Sequence, residues 1–586
     1  MNPFSNKGSG SLPVRKISAL VLAAFISLNL CACSQSDNKE KKTVSIISEA
    51  SQEQSTDDKS SDTKESNVSS NDADEVKADK ADYDTAVFGK DVLTINITAD
   101  KDKWEEFLKN AGSKPWIQCD IDIDGETYKD VGIKTKGNTS LQQLVNDDTT
   151  TRYSLKVNFG KYTDGQTCHG LDKLALNNIY ADSTYLKEYM SYDLMKYMNV
   201  PSSLCTFAEI KVNGEHFGFY LALEDVDDSY LERIYGENNS VKAYKPEGMD
   251  MGNAQGGMPK FDGENGQRPQ MPEGMNPPDN NNFPSMPEGM NPPDNNNFPS
   301  MPEGMNPPDN NNFPSMPEGM NPPDNKNGRG GMDGGRNGVD LKYTDDSTES
   351  YSNIFDNSIN KIDDADKQRL IESLKKISNG EDIENCIDTD EVLRYLACNV
   401  FLVNLDSYLS SNCHNYILTE NNGKLSMLPW DYNLSFGSYQ GENSDSAVNY
   451  AIDTVFNGVS AEDRPIISKL LENEKYREKY HEYLKEIAEK YVQSGIFEQK
   501  VDKLSSIIDS FVKDDTTSFD GYDAFKEGVE SLKLFTTLRA KSVLGQLDGT
   551  IPSTSDEQKN SDKLIDASAL DMKKLGSMNM SDKMRR

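Results

Sequence analysis

The sequence predicts an α+β fold with two lobes, in which a β-rich N-terminal lobe with one main helix precedes a mainly helical C-terminal lobe. The first observation is the alternation of apolar and polar residues in several segments between residues 92 and 223. The second is a change to helical spacing beyond residue 390. The third is a low-complexity insertion at about 246–340, which separates the two patterns.

The chain begins with what looks like an export address. Basic residues precede an apolar run, Ile17–Leu30, that is too short to span a bilayer comfortably. The run ends in Leu30-Cys31-Ala32-Cys33, which resembles a bacterial lipobox. Residues 1–32 are therefore predicted to be a lipoprotein signal peptide, with Cys33 acylated and the protein anchored in the cell membrane, facing the exterior. An ordinary secretory signal is the alternative.

Residues 33–85 contain mostly Ser, Asp, Glu, Lys and Asn, with almost no apolar content. Such a segment cannot bury enough surface to offset its loss of conformational entropy. It is predicted to be a disordered polar tether between the membrane and the folded domain.

The N-terminal lobe, placed at residues 86–245, is predicted to be mostly strand. A short helix is expected over Asp100–Lys109, and the main helix is expected to start from the N-cap Ser183 and to run to Met198. The expected strands, with hairpin turns at Asp124-Gly125 and Asn213-Gly214, are Val92–Ile97, Trp116–Ile123, Tyr128–Lys136, Arg152–Phe159, Phe207–Val212 and His216–Leu223.

The insertion, residues 246–340, carries an internal repeat. The unit MPEGMNPPDNNNFPS starts at residue 271, recurs at 286 and 301, and decays at 316. Pro, Asn and Gly dominate it and leave no apolar face to stack, so a disordered or polyproline-like segment is predicted. Its serines are either spacers or acceptors modified in cis, and they are Ser285, Ser300 and Ser315.

The C-terminal lobe, placed at residues 341–548, is predicted to be helical with one hairpin. Asp390–Asn404 reads as an apolar-rich helix, and several amphipathic helices are expected over Asp463–Leu547. Tyr416–Leu418 and Leu425–Leu428 are expected to pair about a turn at Asn421-Asn422-Gly423. Residues 549–586 are predicted to be a polar tail.

Composition excludes several classes of function. A formal net charge of -35 repels phosphate backbones, so nucleic acid is not an expected partner. The 4 histidines are scattered, which leaves little material for a His-rich zinc site. No Cys-x-x-Cys pair occurs among the 8 cysteines, and those beyond the N-terminal segment permit disulfides without requiring them.

Several segments together resemble one known family, and they are Val131–Ser140, Arg152–Val157, Val212–Tyr220, Glu224-Asp225, Asn404–Ser407, His414–Tyr416, Leu428–Asn433 and Phe436-Gly437. In order and spacing they are similar to the CotH family, named after a spore-coat protein kinase, over about 88–245 and 340–545. The resemblance implies a divergent, bilobal protein-kinase-like fold that uses ATP and Mg²⁺ or Mn²⁺.

The resemblance implies a set of nucleotide-binding residues. Lys156 lies mid-strand before the main helix, where a kinase places the catalytic lysine that pairs with the nucleotide phosphates. Glu188, in that helix, is the natural ion-pair partner. A solvated strand lysine and a surface glutamate are the alternatives. Lys134 and Lys136 compete with Lys156 for the phosphate contacts. The remaining implied nucleotide contacts are Asn138 and Glu224.

The implied catalytic and metal-binding residues lie in the second lobe. Asp406 ends a helix, where a kinase places the acidic residue that faces the acceptor hydroxyl, and it is also a candidate metal ligand. Asp431 follows a hairpin and is expected to bind Mg²⁺, together with Asn415 or its rival Asn412. The alternative is that both aspartates only cap a helix end and a turn. The segments lack HRD and DFG motifs, and the gap from Asp406 to Asn415 is longer than in kinases.

The function expected from the sequence is an extracytoplasmic, ATP- and Mg²⁺-dependent atypical Ser/Thr protein kinase. Its protein substrates would be surface, secreted or spore-coat proteins, and basic Ser-rich segments would suit so acidic an enzyme. A non-catalytic pseudokinase lipoprotein that serves binding or structure is the first alternative, and nucleotidyl transfer on the same fold is the second.

Overall fold

The computed structural model describes residues 81–247, 338–439 and 443–578, all within one compact unit, Lys77–Arg586. The signal peptide, Cys33, almost all of the tether and the repeats with their serines lie outside the described residues. Within the described ranges, no helix combines the length and the apolar composition needed to cross a membrane. All six cysteines from Cys119 to Cys413 are free thiols.

The β-rich half closes into a seven-stranded barrel in the order β1-β2-β3-β4-β5-β7-β6. Neighbouring strands are antiparallel except β1 and β6, which run parallel and close the barrel. Alternate side chains such as Ile95, Ile121 and Val157 fill its interior. The strands are β1 (Val92–Thr98), β2 (Ile117–Ile123), β3 (Glu126–Thr135), β4 (Leu155–Asn158), β5 (Lys173–Asn177), β6 (Cys205–Val212) and β7 (Glu215–Glu224).

More helices accompany the barrel than the one main helix and one short helix that the sequence predicted. The main helix, α4, packs Leu186, Met190 and Leu194 into the large core that it shares with the helical half. The helices of this part of the chain are α1 (Tyr83–Ala86), α2 (Lys101–Lys109), α3 (Thr139–Val145), α4 (Lys187–Tyr197) and α5 (Asp228–Tyr235).

The start of α4 differs from the prediction of an N-cap at Ser183. The Asp182 side chain accepts hydrogen bonds from the backbone N–H groups of Thr184 and Lys187, which holds a turn in place of a first helical turn. Tyr185 has a φ of 61°, outside the helical region. The helix therefore begins at Lys187, and the Ser183 hydroxyl donates to Asp520.

The second half is mainly helical, as predicted. A π-helical segment, Ile487–Gln493, continues α12, and short 3₁₀ turns lie at Thr348–Tyr351, Ala461–Asp463 and Met572–Leu575. The helices are α6 (Ser352–Asp356), α7 (Asp364–Asn379), α8 (Ile383–Cys386), α9 (Thr389–Phe401), α10 (Ser444–Val448), α11 (Pro465–Glu472), α12 (Glu474–Glu486), α13 (Ile496–Asp514), α14 (Tyr522–Leu547) and α15 (Ser555–Gln558).

A small sheet connects the two halves. Its strands are β8 (Lys242–Tyr244), β9 (Tyr416–Asn421) and β10 (Lys424–Pro429), in the order β10-β9-β8. The hairpin β9–β10 was predicted, but β8 belongs to the segment assigned to the N-terminal lobe. The mixed α+β fold is confirmed, the closed barrel was not expected, and a kinase-like bilobal arrangement stays a prediction.

The end of the described chain packs against the core, where the sequence predicted a polar tail. Four apolar residues are buried although most of their neighbours are polar, and they are Ala567, Leu570, Met572 and Leu575. Gly576 has a φ of 94°, and a Cβ there would lie 2.4 Å from the Ala181 carbonyl oxygen. This close approach brings the chain to Met578, on the wall of the cleft described next.

Candidate functional site

A cleft with a volume of about 420 Å³ lies between the barrel and the helical half. Strands β3, β4 and β5, the turn before α3 and the first turn of α4 form one wall. The loop after α9 and the segment after β10 form the other. Its lining includes most of the site residues expected from the sequence, namely Lys134, Lys136, Asn138, Lys156, Glu188, Asp406, Asn412, Asn415 and Asp431.

Five lysines line the cleft, although the chain as a whole is strongly acidic, and they are Lys114, Lys134, Lys136, Lys156 and Lys245. Lys134 and Lys156 are direct cross-strand neighbours on β3 and β4. Burial, and then the charge of Lys156, lowers the pKa of Lys134, and the same two causes lower that of Lys245 to about 8. A ligand with several negative charges would relieve this repulsion.

Lys156 is paired with a carboxylate other than the expected one. Its Nζ lies 2.5 Å from Asp225 Oδ2, and the Asp225 side chain is only 6% exposed. Burial alone would raise the pKa of Asp225, but the pair with Lys156 lowers it below its ordinary value. Lys156 thus pairs with Asp225 and not with Glu188 as expected. Asp225 was part of the resembling segment Glu224-Asp225, but the sequence did not reveal this role.

Glu224 was assigned to the nucleotide, and the structure places it elsewhere. Successive residues of a strand face opposite sides, so Glu224 points away from the side on which Asp225 meets Lys156. Its buried carboxylate accepts hydrogen bonds from Arg233 and from the Tyr83 hydroxyl. It holds helix α5 and the chain before β1 against the barrel, and it does not line the cleft.

Glu188 lies in the first turn of α4 and is 5% exposed. Its Oε2 accepts a hydrogen bond of 2.8 Å from Asn177 Nδ2, and Lys136 in turn donates to Asn177 Oδ1. Its Oε1 has no hydrogen-bond partner within the described residues. Burial, and then the nearby charge of Asp431, raises the pKa of Glu188 to about 7.

Asp431 follows β10 with a φ of 59°, an uncommon backbone conformation for a residue other than glycine. Its backbone N–H donates to the Tyr192 hydroxyl at 3.3 Å. Tyr192 lies one helical turn after Glu188 on α4, and Glu188 and Asp431 both line the cleft. Trp430 is 4% exposed, and Lys245 Nζ lies 4.3 Å from its ring centroid.

Asp406 is 8% exposed and is held by three side chains of its own loop. Its Oδ1 accepts from Asn412 Nδ2 at 3.0 Å and lies 2.7 Å from His414 Nε2. Its Oδ2 accepts from Asn415 Nδ2 at 2.9 Å. A carboxylate offers about four acceptor positions, so about one remains, on Oδ2. The contact of His414 with Asp406 is a second feature that was not predicted, because the sequence indicated His414 only as part of the resembling segment His414–Tyr416.

The turn between β3 and α3 lies on the cleft wall. Gly137 has a φ of 102°, which a side chain would strain. Asn138 follows it as the residue before α3, and its Oδ1 accepts from Lys114 Nζ at 2.7 Å. The turn thus joins a further lysine to the cationic wall.

The donor atoms of the cleft fit a divalent cation that completes its coordination with a ligand. The described part of the chain holds no group of three or more His, Cys, Asp and Glu side chains that could bind a metal alone. It does place Glu188 and Asp431 on the same cleft, and one buried Glu188 carboxylate oxygen there lacks a hydrogen-bond partner. Mg²⁺ in phosphoryl-transfer sites is held by one or two carboxylates, waters and substrate phosphates, and this donor set is of that kind.

Comparison with known proteins identifies the family of the chain. A family model described as CotH kinase protein matches residues 133–300 and 325–543, about two thirds of the chain. Inner spore coat protein H of Bacillus subtilis (strain 168) is 34% identical over 68 residues, which are 12% of this chain and 19% of that protein. The match thus spans about a fifth of that relative. The match of the family model over most of the described fold shows that this chain belongs to the CotH kinase protein family.

Proposed function

We propose that the protein is an extracytoplasmic, ATP- and Mg²⁺-dependent phosphotransferase that modifies Ser or Thr of other proteins. The observation that carries the proposal is the division of charge in one cleft. Lys134, Lys136 and Lys156, on or directly after β3 and β4, line the barrel side, and Asp406 and Asp431 line the opposite side. Phosphoryl transfer needs cations on the phosphates, oxygen ligands for a metal, and an acidic group that faces the acceptor hydroxyl.

The lysines serve to bind and orient the triphosphate. Lys156 is held in place by Asp225, which limits its rotamer freedom. Lys134 and Lys245 are crowded by like charge when the cleft holds no anion. The phosphates gain charge-assisted hydrogen bonds and at the same time relieve that repulsion, so binding energy comes from both effects.

Asp406 serves to orient the acceptor hydroxyl. The remaining acceptor position on Oδ2 takes the hydroxyl proton, and the three neighbouring side chains fix the carboxylate. The hydroxyl oxygen then bonds to the γ-phosphorus while the bond between the γ-phosphorus and the bridging oxygen breaks. The proton moves to Asp406, and ADP leaves with the bond's electrons.

Asp431 would hold the metal ion together with the amide oxygen of Asn415. The Asn415 amide nitrogen is engaged by Asp406, which leaves the oxygen for a cation. A bound Mg²⁺ neutralises phosphate charge and aligns the γ-phosphate with the acceptor. Asp406 is less suited to the metal role, because three side chains already use most of its acceptor positions.

The proposed location and substrates follow from the rest of the chain. An acyl group on Cys33 would anchor the enzyme in the membrane, and residues 33–85 would hold the domain away from it. The acidic surface favours basic, Ser-rich segments of surface, secreted or coat proteins as acceptors. The name of the Bacillus relative contains the words spore coat, which supports a coat protein as one such acceptor.

The test is label transfer from ATP by the purified full chain to a basic, Ser-rich peptide, with Mg²⁺ or Mn²⁺. We expect γ-label on the peptide, none from α-labelled ATP, and loss of transfer in Asp406→Ala and Asp431→Ala. Asp556→Asn, at an exposed position on α15, serves as the control and should keep full activity. Transfer of α-label would indicate a nucleotidyl transferase, and no thermal stabilisation by millimolar ATP with Mg²⁺ would indicate a non-catalytic module.

A further inference from the structure

The sequence predicted that Glu188 pairs with Lys156. In the structure Glu188 contacts Asn177 instead. We propose that Glu188 is a direct ligand of the divalent cation and shares that cation with Asp431. The proposal rests on the proposed function for its physiological setting, since the nucleotide would complete the coordination. Its test requires the metal alone.

The role first assigned to Glu188 is already filled. Asp225, directly after β7, forms the ion pair with Lys156. A buried carboxylate needs a partner, because an isolated charge in a low-dielectric interior is costly. Lys136 reaches Glu188 only through the side chain of Asn177, which bridges the two with both ends of its amide. One oxygen of Glu188 is thereby satisfied and the other is not.

The unsatisfied oxygen is unusual within the described structure. Among the buried side-chain atoms there that lack a hydrogen-bond partner, Glu188 Oε1 is the only carboxylate oxygen. Glu188 lines the cleft, so the missing partner is a group that enters from it.

The neighbours of that oxygen identify the partner as a cation. Glu188 and Tyr192 lie on one face of α4, and the Tyr192 hydroxyl accepts the backbone N–H of Asp431. Glu188 and Asp431 both line the cleft, so their carboxylates face the same space. Two adjacent carboxylates repel each other unless a proton or a metal ion lies between them. Oxygen donors of this kind select a hard divalent cation such as Mg²⁺ or Mn²⁺.

The test is a Mn²⁺ titration of the purified full chain without nucleotide, in which electron paramagnetic resonance measures the free ion. We expect Glu188→Gln and Asp431→Asn each to weaken Mn²⁺ binding by about tenfold or more. Glu247→Gln is the matched control, because Glu247 is an exposed carboxylate on the same cleft, and its dissociation constant should stay within about twofold of the unmodified chain. Unchanged Mn²⁺ binding in Glu188→Gln would overturn the proposal.

A second variant guards against a folding defect. Glu188→Asp keeps the charge but withdraws the carboxylate by one methylene, so we expect it to bind Mn²⁺ more weakly than the unmodified chain and more tightly than Glu188→Gln. Equal binding by all three would contradict a direct ligand. If Mn²⁺ binding depends on Glu188 but no label reaches any acceptor, the metal site stands and the phosphotransferase proposal fails. If γ-label is transferred while Glu188→Gln leaves Mn²⁺ binding unchanged, the phosphotransferase proposal stands and the metal-site proposal fails.

Discussion

Two buried charged clusters join the barrel to the helical half, and they differ in how completely they are paired. The first, here called the clasp, consists of Arg152, Asp515 and Thr517. Arg152 is 2% exposed and donates to Asp515, to Thr517, and to the backbone carbonyls of Asn178 and Phe219. The second is the carboxylate pair of the cleft, where Glu188 keeps one oxygen without a partner.

The pKa directions of the two clusters are opposite although both are buried. In the clasp, burial alone would raise the pKa of Asp515, but the charge of Arg152 lowers it below the ordinary value. In the cleft, burial and Asp431 together raise the pKa of Glu188 to about 7. A satisfied cluster stabilises the fold, whereas an unsatisfied one costs stability until a ligand completes it. The difference separates a structural from a functional site.

The largest effect on stability is expected in the clasp. Arg152→Met removes the guanidinium that pairs with Asp515 and leaves this buried carboxylate with only His216, Thr517 and backbone N–H groups as partners, which should lower the free energy of unfolding by about 3–5 kcal/mol. Urea denaturation at pH 7 measures the change. Addition of Asp515→Leu should recover part of the loss, since it removes the stranded charge. A loss below about 1 kcal/mol in the single variant would show that the clasp is not structural.

The largest effect on activity is expected at Asp406. Asp406→Asn keeps the size of the side chain but removes the proton acceptor, so the turnover rate should fall about 10²- to 10³-fold. The affinity for ATP, measured by calorimetry, should change less than about threefold, because the lysines that bind the phosphates are untouched. A large loss of ATP affinity with little change in turnover would place Asp406 in nucleotide binding.

In the absence of metal, Glu188→Gln is expected to raise the free energy of unfolding at high pH. This moderate effect is opposite in sign to that of the clasp variant. The pKa of Glu188 is raised from 4.5 to about 7 in the folded state, so the folded protein holds a proton that the unfolded chain has lost. The free energy of unfolding therefore falls as the pH rises from about 5 to above 7, by about 2–3 kcal/mol in total.

Glu188→Gln removes this dependence and should be the more stable protein at pH 8. Urea denaturation at pH 5 and pH 8, with EDTA, measures the difference. Saturating Mn²⁺ should cancel the advantage of the variant, because only the unmodified chain gains the metal. A variant that is less stable than the unmodified chain at pH 8 without metal would contradict an unsatisfied carboxylate.

The smallest effect is expected at Lys245. The pKa of Lys245 is lowered to about 8, so in the cleft without ligand it loses its charge as the pH rises through 8. An anion binds the protonated form better, and ATP affinity should therefore fall between pH 7 and pH 9. Lys245→Gln should bind ATP about fivefold more weakly at pH 7 and show a flatter pH profile. If calorimetry shows that the ATP affinities of Lys245→Gln and of the unmodified chain change with pH in parallel, Lys245 is not one of the phosphate contacts.

Sequence patterns correctly predicted the strands and turns that depend only on residues close together in the chain. The alternation in β1, β6 and β7 and the turn residues of the β9–β10 hairpin predicted those strands. The closed barrel was not predictable, because it depends on the pairing of β1 with β6, more than 100 residues later. β8 has only three residues and is defined by its partner β9 from the other side of the repeat insertion.

The same distinction applies to the site. Asp406, Asn415 and Asp431 lie in one short stretch of sequence, and a family pattern identified them as candidates. The partner of Lys156 depends on the direction in which each acidic side chain at the end of β7 points. Asp225, directly after the strand, points toward Lys156, whereas Glu224 points toward Arg233. The role of Glu188 depends on atoms from α4, β5 and the segment after β10, which only the folded chain brings together.

The central claim is that the cleft is completed by a nucleotide and a divalent cation. The most direct measurement is a crystal structure of the full chain with a non-hydrolysable ATP analogue and Mn²⁺, recorded at the manganese absorption edge. We expect an anomalous peak within bonding distance of Glu188 and Asp431, with the phosphates against Lys156. A saturated crystal with no analogue in the cleft and no peak beside Asp431 would contradict the account.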